Sequence, residues 1–194
     1  MKQAERSART KAAFSKALRV RLAGDDLDGI SVAELARDCD LDRKTFYYHF
    51  TDVYDLFDWM IHEIIREAGV TGLLNSDPHK AIEVCATIIL GSSEIVHALK
   101  SPLGRMHMKE CLAHDIFGAI EGYIRQREAD AAVALDDGYR SFLVIMLGNA
   151  VGETFVELAS GTITLSPERF ADYLVQTLRM TTEQIVAEVG GNAG

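Results

Sequence analysis

Within seven consecutive positions, Arg43-Lys44-Thr45-Phe46-Tyr47-Tyr48-His49, six side chains are of types that bind a polyanion. Arg43 and Lys44 can pair with guanine O6 and N7 in a major groove. Thr45 offers a methyl group to thymine and a hydroxyl to a base edge or phosphate. Tyr47, Tyr48 and His49 are aromatic but end in polar groups, which suits phosphate hydrogen bonds or base-edge contacts. Phe46 and Phe50, four residues apart, are left to face inward. Ser31 can donate to a phosphate, although capping a helix accounts for it without DNA.

These side chains need a scaffold, and the flanking sequence supplies one. Ser31 followed by Glu34 is a capping-box pattern that opens a helix. Val32, Leu35 and Ala36 then give it one apolar stripe. The periodicity breaks near Cys39, and Asp40-Leu41-Asp42 has the composition of a tight turn anchored by Leu41. Asp42 can cap a second short helix that carries the six residues. Two short helices around a short turn make a helix-turn-helix, whose second helix enters a DNA major groove.

A second constellation lies further on. His107, Cys111 and His114 fall at i, i+4 and i+7 on one helix face. Nitrogen and sulfur donors so spaced suit zinc or copper. The alternative is a semi-polar stripe that lines a core or a small-molecule pocket, with Met106 and Tyr123 in the same region. The pocket is the reading adopted, because three ligands on one helix still need a fourth and an outer shell. No metal and no cofactor is assigned. The chain has no Glu-x-x-His pair of the di-iron type, no Gly-rich phosphate loop and no G-x-S-x-G, so catalysis is not expected.

The 194 residues carry a net charge of −9, which at first speaks against nucleic acid. The distribution reverses that inference. Residues 1–50 hold ten Lys or Arg against eight Asp or Glu, a balance of +2, whereas 51–194 hold ten against twenty-one, a balance of −11. Screening confines each charge to about 8–10 Å at physiological salt, so a near-neutral head can bind phosphates on an acidic protein. Three cysteines without a C-x-x-C argue against a disulfide framework. The N-terminus lacks a signal-peptide core, and the oily run Phe142–Leu147 is short for a membrane span, so a cytoplasmic location is expected.

The spacing predicts an all-α chain. Residues 2–23 form an amphipathic helix with Phe14, Leu18 and Leu22 inside and a basic face of Lys2, Arg6, Arg9, Lys11 and Lys16. That face is either solvated or a phosphate-contacting arm. After the helix-turn-helix, Thr51 or Asp52 caps a long helix that ends near Gly69, and residues 70–76 are expected to be a loop. Asp77-Pro78, Ser101-Pro102, Asp136-Asp137-Gly138 and Ser166-Pro167 mark further helix starts. Phe142 to Leu147 is apolar all round, so one side needs a partner, and the simplest is the same helix of a second copy. The expected interface uses Phe142, Ile145, Met146, Gly148, Asn149, Gly152 and Phe155, with Phe170, Tyr173, Leu174, Thr177, Leu178 and Thr181 of the last helix. Gly148 and Gly152 would let the helices approach closely. The expected division is 1–50 for the reading head, 51–69 for a connecting helix and 70–194 for the helical remainder.

At residues 30–36, at Arg43 to Phe50 and at Tyr54-Asp55-Leu56 the sequence resembles the TetR/AcrR family of bacterial transcription regulators, over roughly residues 10–60. The resemblance implies a homodimer on a palindromic operator, usually repressing, released when a small molecule enters the C-terminal helical domain. A coregulator that binds a protein there is the alternative. Two positions depart from the family. Asp40 stands where Gly is common in the turn, and Val53 stands where Lys often contacts phosphate.

Overall fold

A computed structural model describes residues 2–191, without the side chains of Lys2, Thr71, Asn75 and His114. Every regular element among the described residues is helical, in the order α1 (Lys2–Leu22), a 3₁₀ turn (Leu27–Gly29), α2 (Val32–Asp38), α3 (Arg43–His49), α4 (Val53–Glu67), α5 (Val70–Ser76), α6 (Pro78–Gly91), α7 (Ser93–Ala98), α8 (Pro102–Ala131), α9 (Asp137–Ala159) and α10 (Pro167–Gly191). The chain divides into two compact units, one of Met1–Glu67 with Ile89–Cys111, the other of Ala68–Ile88 with Leu112–Gly194.

The first unit is built around Phe14, Leu18 and Leu22 of α1, Leu35 of α2, Phe46 of α3, and Leu56 and Phe57 of α4, all fully buried. Phe14 meets Phe46 edge-to-face at 5.1 Å, and Phe50 meets Trp59, the chain's one tryptophan, at 6.0 Å. Outside this core, Arg21 clamps α1 to α2. Its guanidinium reaches Asp38 at 2.6 Å and Glu34 at 3.2 Å. From α7, Glu94 accepts from Arg19, and His97 Nδ1 lies 2.8 Å from the Leu22 carbonyl at the end of α1. Gly104 is required where α8 begins: a Cβ there would lie 2.0 Å from the Ala98 carbonyl oxygen.

In the second unit the start signals act as read. Asp77, Asp136 and Ser166 each accept a backbone N–H of the first helical turn of α6, α9 and α10. Buried Glu128 of α8 accepts both from Arg140 of α9 (2.8 and 2.9 Å) and from the Leu135 N–H (2.6 Å), closing the α8–α9 turn. Arg140 holds the Glu128 carboxyl below its ordinary range. By length and composition α9 could cross a membrane, but it packs Leu143, Leu147, Val151 and Phe155 into its own unit.

One expected loop is a helix. Residues 70–76 form α5, entered directly from Gly69 in a left-handed conformation (φ 70°). Val70, Leu73 and Leu74 have i, i+3, i+4 spacing, and Val70 is 3% exposed. The Gly that ends α4 therefore turns the chain without ending helical structure.

Candidate nucleic-acid interface

The helix-turn-helix is fixed by its caps. Ser31 Oγ accepts from the Glu34 N–H and donates to the Glu34 carboxylate at 2.7 Å, while the Ser31 N–H donates to the same carboxylate. This reciprocal box commits the Ser31 hydroxyl proton to its own helix. The turn closes through Leu41 N–H to the Ala36 carbonyl at 2.9 Å, with Asp40 at φ 53°. Asp42 caps α3 by accepting the Thr45 N–H at 2.6 Å, and this bond holds its carboxyl below the usual range.

With Phe46 buried beneath it, α3 presents Arg43, Lys44, Tyr47 and Tyr48 to solvent, and Tyr48 is 75% exposed. Thr45 and His49 are half-buried at the edges. Tyr48 stands edge-on to His49 at 4.9 Å. Two aromatic and two cationic side chains are exposed on this seven-residue helix, whose one buried residue is Phe46.

Lys11 is a neighbour that local spacing could not reveal. Its ammonium lies 5.4 Å from the Phe50 ring and 5.8 Å from the Trp59 ring, a cation–π seat at the far end of α3. Burial, reinforced by Lys11, lowers the affinity of His49 for a proton. Val53 is 7% exposed and belongs to the α4 core stripe, so no phosphate contact comes from that position. Arg6, Arg9 and Lys16 on α1 are exposed.

The other candidates are placed differently. His107 and Cys111 turn to Asp58 of α4: His107 Nδ1 is 3.0 Å from its carboxylate, and the Cys111 thiol is 3.6 Å from its carbonyl. Met106 is 42% exposed, and Tyr123, in the second unit, lies under the Arg127 guanidinium. The His114 side chain lies outside the described residues. No three His, Cys, Asp or Glu side chains among those described converge as metal ligands. Two clefts of about 450 Å³, one between α1 and α4 and one between α8 and α9, are lined by none of these residues.

On α9, Phe142, Ile145 and Met146 are 56, 57 and 42% exposed, Asn149 is exposed beside them, and Tyr173 of α10 is 46% exposed. Thr177 is exposed, while Leu174, Leu178 and Thr181 are half-buried. Three of the expected interface residues are used inside the unit instead. Phe155 and Phe170 pack on each other at 5.0 Å and are buried. A Cβ on Gly148 would lie 2.0 Å from the Phe117 ring, so this glycine seats a side chain of its own chain. Gly152 is buried with open space at its Cβ position.

No family model matches the chain. Over 133 residues, 64% of the chain, it is 30% identical to an uncharacterized HTH-type transcriptional regulator, YxbF, of Bacillus subtilis (strain 168), and it spans about a third of that relative's length (34%). The fold is shared with solved regulators. The dihydroxyacetone kinase operon activator DhaS superposes with a TM-score of 0.61 at 15% identity, covering 90% of this chain and 96% of that one. The fatty acid degradation regulator FadR from Bacillus halodurans gives 0.60 at 11% identity, covering 87% and 94%. The chain thus has the all-helical architecture of helix-turn-helix regulators.

Proposed function

We propose that this chain is a TetR/AcrR-like transcriptional regulator that binds double-stranded DNA through α3. It works as a homodimer on a palindromic operator and represses until a small molecule binds among the helices of residues 70–194. The observation that carries the reading is the exposed set Arg43, Lys44, Tyr47 and Tyr48 on a capped helix whose only inward residue is Phe46. The YxbF relative, named as an HTH-type regulator, supports it. Two copies would place their α3 helices in successive major grooves about 34–36 Å apart, and the effector would favour a spacing that no longer fits.

The test begins with a duplex selected by the purified protein from random-sequence DNA, with affinity followed by fluorescence anisotropy. Lys44→Ala and Tyr47→Ala should each weaken specific binding by about 1–3 kcal/mol per lost base contact, with oligomeric state unchanged. Unaltered affinity in both variants removes α3 as the reading helix. Since the fold is shared with an operon activator, a promoter–reporter assay decides the sign: repression requires reporter output to rise when the gene is deleted.

A further inference from the structure

Two side chains one turn apart on α8 both reach α4, within the first unit. His107 lays its ring on Tyr54, centroids 4.9 Å apart and planes 9° from parallel. Its Nδ1 faces the Asp58 carboxylate at 3.0 Å; an ionised carboxylate only accepts, so Nδ1 carries the proton. One turn on, the Cys111 thiol donates to the Asp58 carbonyl. Tyr54 donates its phenol to Asp28 at 3.0 Å, in the segment that leads into α2. The second Asp58 oxygen, Oδ1, is buried without a hydrogen-bond partner.

That last feature separates the cluster from ordinary packing. A buried carboxylate oxygen without a donor disfavours its position, so the His107 bond has to hold Asp58 in place. α4 is also the helix that follows α3 directly, and Trp59, adjacent to Asp58, packs on Phe50 at the end of α3. A displacement of α4 therefore carries the reading helix with it, because close-packed interiors transmit small shifts.

We propose that His107, Asp58 and Tyr54 form a latch in which His107 is a positioning residue: its bond to Asp58 and its stack on Tyr54 fix α4, and thereby α3, in the arrangement that binds DNA. The role in binding rests on the DNA-reading assignment above. The latch also shields Cys111, whose thiol burial drives well above the ordinary thiol range, so Cys111 reacts slowly while the latch is closed.

Two variants divide the contributions of the ring. His107→Phe keeps a ring for Tyr54 and loses the donor. His107→Asn keeps a donor at the position of Nδ1 and loses the ring. Iodoacetamide labelling of the full chain, read peptide by peptide, reports latch opening at Cys111, with Cys39 and Cys85 as internal references. Selected-duplex affinity reports the consequence for binding. His107→Phe should raise Cys111 labelling by about tenfold, leave Cys39 and Cys85 unchanged, and weaken duplex binding by about fivefold or more. His107→Asn, which keeps the bond and loses the stack, should fall between the parent and His107→Phe in both readouts. Equal Cys111 labelling in all three proteins overturns the latch. So does a parallel rise at all three cysteines, which marks general destabilisation. A parent protein that selects no duplex overturns the DNA reading and the latch's role in binding, while the labelling ratios still decide whether His107 holds α4.

Discussion

Asp40 sits in the helix-turn-helix with φ 53°, a backbone angle that costs most L-residues about 1–2 kcal/mol and Asp somewhat less. Asp40→Gly should therefore stabilise the first unit by about 0.5–1 kcal/mol, measured as an increased urea midpoint with an unchanged slope. The carboxylates around it act together. Asp38 is held low by Arg21, Glu34 by Ser31 and Asp42 by the Thr45 N–H. Their folded-state pKa values lie below the unfolded ones, so their stabilisation is fully present at neutral pH, begins to fade near the unfolded values of about 4, and is lost as pH falls through the folded ones. The loss of far-UV helical signal on acid titration should shift to higher pH in Asp38→Asn. That variant has already lost its pH-dependent share and should start from lower stability at pH 7. An unchanged acid profile would separate Arg21–Asp38 from acid unfolding.

At the scale of elements, caps and stripes were legible because both are local. Ser31–Glu34, Asp42, Asp77, Asp136 and Ser166 cap where the sequence says, and Phe46 and Phe50 turn inward. The helix at 70–76 is not legible because a glycine at 69 ordinarily ends a helix, whereas a left-handed glycine can also start the next one. The i, i+4, i+7 face of His107 and Cys111 was visible, but what it meets was not. Asp58 lies far away in sequence, and no local pattern distinguishes a stripe that lines a pocket from one that grips a neighbouring helix. Gly148 illustrates the same limit: small residues four apart suggest a close helix pair, and only the Phe117 ring shows that the gap is filled from within. In the sequence Lys11 is one cation of a face that is either solvated or phosphate-contacting, and only the fold shows its seat on Phe50 and Trp59.

At the scale of the molecule, the proposed dimer rests on the exposed set Phe142, Ile145 and Met146 with Tyr173, a patch that monomers seldom leave in water. Phe142→Glu with Ile145→Glu should convert a dimer to a monomer in sedimentation velocity, with the helical signal retained. An unchanged sedimentation coefficient would remove this face as the contact. DNA affinity should fall with the dimer, because one half-site supplies only half the contacts. The first unit has a further property that follows from how it is assembled. It is made of two stretches of chain, Met1–Glu67 and Ile89–Cys111, and the Leu22 carbonyl at the end of α1 meets its His97 partner only when the second stretch is made. During synthesis at about 5–20 residues per second, the first stretch, through Glu67, is made first and then waits about 2–9 s for Cys111 to be made. Over that interval α1 and α4 expose the surfaces that α7 and α8 later cover. A fragment cut at Glu67 would therefore lack the stretch 89–111 that completes its compact unit, and should be less stable than one supplied with it.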